Sequence, residues 1–226
     1  MIRIFDLVFS CLAILVLSPL FIIIIIFLKF TGEGEVFFLQ DRVGKDKKYF
    51  KLYKFVTMLK NSQNIGTGTV TIKNDPRILP FGSFLRNSKI NELPQLINIF
   101  IGNMSLIGPR PQAERCFNAF PIDLQSVIVK MKPGLSGIGP IVFRAEEDIL
   151  DGHDNVHFYD EVISPYKALV EAWYLDKQNI FTYFLLIFIT LQVVLMPSSS
   201  LVWKIFKDLP IPPDELKVHL NFISYR

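Results

Sequence analysis

The sequence predicts an α+β fold, mainly helical, with an N-terminal membrane helix broken at Ser18-Pro19, a small β-hairpin and amphipathic helices at a membrane interface. Three observations carry this expectation. They are an uncharged apolar run from Leu7 to Leu28, two short strand-like segments around Gly44, and helical spacing of apolar residues after Asn91. The mean hydropathy of +0.36 is high for a soluble protein and low for one that spans a membrane many times. The chain divides accordingly into a membrane segment over 1–31, a central body over 32–175, and a C-terminal apolar helix and tail over 176–226.

The first apolar run is 22 residues long and includes Ile22 to Ile26 in unbroken series. At about 1.5 Å per residue, a straight helix of that length covers roughly the hydrocarbon thickness of a bilayer. A cleavable signal peptide is disfavoured, because the run is long and no small-x-small cleavage site follows it. Pro19, near the midpoint, removes a backbone donor and crowds the preceding turn, so a kink or break is expected there. Arg3 and Asp6 precede the run and Lys29 follows it. The residues alone therefore leave two readings open, a spanning helix and a re-entrant hairpin whose ends return to one side. A second run, Ile180 to Met196, is short for a span and contains Gln192, which suits a helix lying in the interface.

Between these runs, Val36 to Leu39 and Tyr49 to Phe55 read as strands around the turn Gly44-Lys45-Asp46. Residues 61–74 read as loop, and Pro76 and Pro80 bracket a turn before Phe81 to Asn87. Leu93, Leu96, Ile97 and Phe100 then recur at helical spacing, with Asn91 as the expected N-cap, Pro94 in the first turn and Gly102 as the stop. Gly108-Pro109-Arg110-Pro111 and Pro133-Gly134 are rigid loop signals. The proline-rich tail from Trp203 reads as an amphipathic or extended tether.

Composition excludes several classes. A net charge of +3, from 24 basic and 21 acidic residues, does not demand a nucleic-acid partner. The basic residues do cluster from Arg42 to Lys54, which suits a solvated face, anionic lipid or a phosphorylated substrate. Cys11 and Cys116 form neither a metal spacing nor a disulfide framework. There is no Walker A loop and no nucleophile elbow. Asp151, His153, Asp154 and His157 are weak metal candidates in a polar loop, and Gly66-Thr67-Gly68 reads as flexible loop rather than phosphate cradle.

The informative stretch runs from Leu85 to Pro111, LRNSKINELPQLINIFIGNMSLIGPRP. Glu92 falls in the first turn of the expected helix, where free N–H groups and the helix dipole favour an ionised carboxylate. Arg86 precedes it, and Arg110 follows, framed by two prolines. Arginine's planar fork suits phosphate oxygens. A carboxylate between two arginines beside a membrane segment suits chemistry on phosphate esters of a lipid. The plainer reading, a surface helix with ordinary salt bridges, stays open on these residues alone.

The same stretch resembles the signature of the bacterial sugar transferases, the monotopic phosphoglycosyl transferases. Arg3 to Pro19 is similar to the family's opening, in which Phe-Asp precedes an apolar helix broken at Ser-Pro. VFFLQDRVG (36–44) and YKFVTM (53–58) resemble its hairpin motifs, and Asn74-Asp75-Pro76-Arg77 its lead-in to the active helix. Glu92-Leu-Pro-Gln95, Asn98 and MSLIGPRP (104–111) resemble its most specific part, and KPGLSG (132–137) its later Arg-Pro-Gly loop. The departures are specific. Asn91-Glu92 stands where the family has Asp-Glu, Val56 replaces a basic residue, and Tyr183 falls where a Leu-Asp-Leu pattern is expected.

The resemblance implies transfer of a sugar-1-phosphate from a UDP-sugar to polyprenyl (undecaprenyl) phosphate with release of UMP. It implies a re-entrant N-terminal helix at the bacterial inner membrane, with 32–175 as catalytic domain on the cytoplasmic face. It further implies Mg²⁺, with Glu92 as the acting carboxylate and metal contact and Asn91 beside it. Lys54, Arg86, Arg110 and Lys132 become the expected phosphate contacts. The partners implied are a UDP-sugar, polyprenyl phosphate and the lipid bilayer, with no nucleic acid, and a homo-oligomer is compatible with all of these. A second reading is a catalytically altered or inactive member acting as a membrane scaffold for polysaccharide assembly enzymes. Retention of Arg86, Glu92 and Arg110 argues against it.

Overall fold

The computed structural model describes residues 1–66, 68, 71, 75–150 and 155–223. The first helix, α1 (Ile2–Phe30), is long and apolar enough to cross a membrane. It runs through Pro19 without interruption, where the sequence predicts a break. The local chemistry accounts for this. Proline cannot donate to the carbonyl one turn back, and that carbonyl, on Leu15, accepts instead from the Ser18 hydroxyl at 2.8 Å. Ser18 thus supplies the donor that Pro19 lacks.

Only one stripe of α1 is covered. Ile14, Leu17 and Phe21 pack on Leu52, Leu96, Ile99 and Met104, and Ile24 and Leu28 pack on Phe55 and Leu85. The spacing of three and four residues keeps these side chains on one face. The opposite face exposes Ile4, Val8, Leu12, Leu15, Val16 and Ile23, an apolar surface larger than water tolerates on a monomer. Both ends of the helix dock on the same body. Arg3 donates to the carbonyls of Ile99 and Phe100, and Leu28 lies in the cluster of Phe55 and Leu85.

After α1, β1 (Phe37–Val43) and β2 (Tyr49–Phe55) pair antiparallel, with Phe37 opposite Phe55 and Val43 opposite Tyr49. β1 runs past the expected end at Leu39, because Gln40, Asp41 and Arg42 continue the ladder opposite Leu52, Lys51 and Phe50. α2 (Pro80–Asn87) follows, and Gly82 lets it approach: a Cβ there would lie 2.1 Å from the Thr57 carbonyl oxygen. α3 (Gln95–Ile101) ends at Gly102, whose φ of 99° is the left-handed stop expected from the sequence. Next comes β3 (Ser105–Ile107), then α4 (Glu114–Asn118) and α5 (Ile122–Ile128). β4 (Gly134–Ser136) pairs parallel with β3. This pairing was invisible in the sequence, since each partner has three residues beside a Gly/Pro loop.

The rest is helical: α6 (Ile138–Val142), α7 (Glu146–Ile149), α8 (Asn155–Phe158), α9 (Ser164–Lys177), α10 (Ile180–Leu195), α11 (Leu201–Ile205) and α12 (Asp214–Lys217). α10 buries Tyr183, Leu186, Ile189 and Val193 and exposes Phe181, Phe188, Leu191 and Leu195. It therefore presents a second apolar face. The tail is no tether. Val202, Trp203, Leu209, Leu216 and Leu220 join the main core, the Trp203 indole donates to the Leu220 carbonyl at 3.0 Å, and the Tyr166 hydroxyl donates to that of Pro210 at 2.7 Å. The apolar residues between the prolines fold the segment back.

Asp6 ties three elements together. Its Oδ1 accepts from the Ser105 hydroxyl, the Leu106 N–H and the Tyr183 hydroxyl, at 3.0, 2.9 and 2.9 Å. Tyr183 thereby serves as a donor to the buried carboxylate. Tyr183→Phe keeps the ring and removes one of three donors to a charged acceptor, a loss of about 2 kcal/mol. Chemical unfolding in detergent is expected to register it as a lower midpoint; an unchanged midpoint would dismiss the contact as energetically idle.

Candidate active site

Glu92 is at the centre of the site, though not as the sequence predicts. Asn91 does not cap α3, and Glu92 is not in that helix's first turn. The N-cap is Pro94, and Ile90–Glu92 form a separate 3₁₀ turn after Lys89, whose φ is +58°. The Glu92 N–H is already bonded to the Lys89 carbonyl. Side chains on other elements, rather than a helix terminus, keep the carboxylate ionised.

Those side chains arrive from two directions. Lys54 comes from β2, with its ammonium 3.4 Å from Glu92 Oε1, and Arg110 follows β3, with its guanidinium 3.4 Å from the same oxygen. Both distances exceed an ordinary hydrogen bond, so the carboxylate is held by charge and keeps room for a ligand. Burial alone would push the Glu92 carboxyl up, but the fields of Lys54, Arg110 and Lys89 outweigh it and hold it at about 2. Burial also dominates at Lys54. It lowers the ammonium to about 7 despite Glu92, aided by the like charges of Arg42, Arg110 and Arg86.

Asn98 sets the distance between Lys54 and Glu92. Its side-chain amide pairs with the backbone of β2, accepting from the Tyr53 N–H at 2.9 Å and donating to the Lys51 carbonyl at 2.7 Å. α3 is thereby fastened to β2. Arg110 is set from behind by Glu171 on α9, whose Oε1 accepts the Arg110 backbone N–H at 2.9 Å. Gly139 makes room for this carboxyl, since a Cβ there would lie 2.1 Å from it. Glu171 is 1% exposed, and burial raises its carboxyl to about 7.

A cavity of about 90 Å³ opens beside Glu92, lined by Arg42, Lys54 and Arg86, the amides of Gln40 and Asn91, and the hydroxyls of Thr57 and Ser62, among others. Sites for whole drug-sized ligands run to about 300 Å³ or more. This one is sized for phosphate groups. Arg42 was visible in the sequence only as one member of a basic run. Here it donates to the Pro111 carbonyl at 3.0 Å and leaves its Nε buried without a partner. Burial and the nearby Arg110 lower it to about 10. Its place in the hairpin motif VFFLQDRVG was the available signal.

Of the residues expected at the site, Lys54, Arg86, Asn91, Glu92 and Arg110 come together. Lys132 does not. Its charged neighbours are Arg3, Asp6 and Lys45. The parallel pairing explains the separation: the Ser105 N–H bonds the Pro133 carbonyl at the start of β3, whereas Arg110 follows its other end. Asp75 is spoken for by Arg77, which also donates to the carbonyls of Ser62, Ile65 and Gly68 and shapes the loop over the cavity. Asn74, Thr67, Asp151, His153 and Asp154 lie outside the described residues. Among the described residues, no three His, Cys, Asp or Glu side chains group as metal ligands, and His157 instead faces Glu161 at 3.1 Å.

The profile of the bacterial sugar transferase family matches residues 1–197. The chain belongs to that family. The match covers α1, the hairpin, the Glu92 cluster and α10, and stops short of α11 and the docked tail. Among relatives, it is 35% identical over 163 residues to the UDP-glucose:undecaprenyl-phosphate glucose-1-phosphate transferase of Klebsiella pneumoniae, covering 70% of this chain and 34% of that one. It is 30% identical over 213 residues to the undecaprenyl-phosphate galactose phosphotransferase of Salmonella typhimurium, covering 88% and 41%. It is 29% identical over 213 residues to the exopolysaccharide production protein ExoY of Rhizobium meliloti, covering 88% and 87%. The chain thus spans about a third of the length of the Klebsiella relative and of a similar Escherichia coli one, and nearly all of ExoY.

Proposed function

We propose that the chain transfers a sugar-1-phosphate from a UDP-sugar to undecaprenyl phosphate and releases UMP, at the cytoplasmic face of the bacterial inner membrane. The observation that carries this reading is the convergence of Arg42, Lys54 and Arg86 on a phosphate-sized cavity, with Glu92 and Arg110 beside Lys54. Half-buried cations brought this close repel one another, and an anion bound among them relieves that repulsion. The apolar faces of α1 and α10 supply the lipid side of the reaction, and the names of the relatives agree with it. Arg86 and Arg110 would grip phosphate oxygens, with Lys54 as a further point charge. Lys132, beside Arg3, is assigned to the lipid-headgroup level rather than to the donor.

Mg²⁺ fits the donor set if the substrate completes it. Glu92 offers one carboxylate, and Asn91 offers a buried carbonyl oxygen without a donor; magnesium is commonly held by one or two such groups plus phosphates. When bound it would offset charge on the diphosphate. The scaffold reading draws only on Asn91, and the cluster of cations has no purpose in it.

The decisive assay presents the protein in membranes with undecaprenyl phosphate and labelled UDP-glucose, UDP-galactose and UDP-N-acetylgalactosamine. Label entering the lipid fraction with stoichiometric UMP is expected, and none with any donor would sink the reading. The pH dependence follows from Lys54, whose ammonium is charged below about 7 and neutral above. Donor binding should weaken as pH rises, with KM increasing about tenfold between pH 7 and pH 8.5. Lys54→Arg stays charged throughout and should flatten that rise; an equally steep profile would move the titration to Glu171.

The docking of both ends of α1 on one body favours a helix that enters the membrane without crossing it. In a Cys11→Ser background, a cysteine at position 2 is expected to stay protected from an impermeant thiol reagent in intact cells. Cys116 is buried and does not compete. Labelling from outside would establish a spanning helix.

A further inference from the structure

A route through an enzyme-bound sugar-phosphate would need a side chain that attacks phosphorus, and the described lining of the cavity offers none. Among the described residues, Arg42, Lys54 and Arg86 line it together with the amides of Gln40 and Asn91, and no carboxylate does. Asn91, at the centre of the 3₁₀ turn, is 5% exposed and holds its Oδ1 in buried space without a donor. An amide oxygen carries no charge and an amide nitrogen has a delocalised lone pair. Neither is a nucleophile for a phosphate ester.

Glu92 does not take over that task. Its Oε1 lies 3.4 Å from both Lys54 and Arg110, and two cations on one oxygen withdraw the electron density an attack would use. Glu171 is enclosed: its Oε1 accepts the Arg110 backbone N–H, and it packs against Gly139 with 1% of its surface exposed.

The charges point to what happens instead. Three cations line the cavity and Arg110 adds a fourth at its Glu92 edge. A donor diphosphate brings two negative charges, and an acceptor phosphate brings about two more. Among the described residues, four cations facing one carboxylate leave a net charge of about +3, one more than the donor neutralises, and the acceptor phosphate supplies the remainder.

We propose that this chain transfers the sugar-phosphate directly, with donor and acceptor bound at once and no enzyme-bound intermediate. The inference rests on the transferase reading above. An oxygen of the lipid phosphate attacks the β-phosphorus of the nucleoside diphosphate sugar. The new P–O–P bond forms as the bond from that phosphorus to the oxygen bridging the α-phosphate breaks. The nucleoside monophosphate leaves with the electron pair. Two dianions enter and two dianions leave, so no proton, oxidant or further reactant is needed. Asn91 Oδ1 and Glu92 position the reacting phosphates without bonding to phosphorus.

The test uses the purified chain in lipid nanodiscs, the three labelled UDP-sugars and undecaprenyl phosphate. Initial rates with both substrates varied are expected to give intersecting double-reciprocal lines. Donor alone should release no UMP, and the acid-denatured chain should carry no label. Asn91→Asp, which returns a carboxylate to the cavity wall, is expected to release up to one equivalent of UMP from donor alone and to retain the label. Parallel lines for the wild type, or UMP release with label on its chain, would overturn direct transfer and leave the transferase reading standing. No labelled lipid with any donor would overturn the transferase reading and this inference with it.

Discussion

Glu92→Gln is expected to lower transfer about 1,000-fold, the upper range for removing one pre-organised polar group from a reaction centre. Its Oε1 is the common counter-charge of Lys54 and Arg110. Without it the two cations repel, and Lys54, already lowered to about 7, loses the neighbour that favours its charged form. At neutral pH it would then be largely neutral, so a phosphate contact disappears together with the carboxylate. Glutamine keeps the shape, so the protein should still fold and insert, which detergent gel filtration checks. Activity within threefold of wild type would remove Glu92 from the site.

Arg110→Lys is expected to cost about 100-fold in kcat/KM although the charge is kept. The Arg110 guanidinium can hold Glu92 with one nitrogen and offer others to a phosphate, while its backbone is fixed by Glu171. Lysine reaches less far and donates from a single point. The loss should fall on kcat as well as KM, because a misaligned phosphate reacts slowly even when bound. Comparison with Glu171→Gln separates the two contributions. That substitution retains the Arg110 side chain and disturbs only the backbone anchor, so a milder loss is expected. Near-normal turnover of Arg110→Lys would give Arg110 a structural role.

Much of this protein was legible because its informative residues are close together in the chain. The apolar run of α1 is a composition signal, the hairpin a local alternation, and Arg86, Glu92 and Arg110 fall within one 25-residue stretch. Local signals misled where a distant partner changed the outcome. Asn91 has the composition of an N-cap, yet the left-handed Lys89 and Pro94 place it in a buried 3₁₀ turn. Pro19 reads as a break, yet the Ser18 hydroxyl bridges the gap. The tail reads as a tether, yet Trp203, Leu209 and Leu216 find a core made by α6, α9 and α10.

The sequence by itself determined the class of chemistry, since the side chains that suit phosphate, carboxylate and lipid are properties of residue type and order. Only the tertiary structure decided which of the basic residues lie together. Arg42 and Lys54 meet Glu92 because the Asn98 amide fastens α3 to β2, and Lys132 stays away because β4 pairs with β3 in a register that leaves it at the opposite end. The physical reason is that Coulomb energy depends on distance and burial, and neither is written in the spacing of residues along a chain.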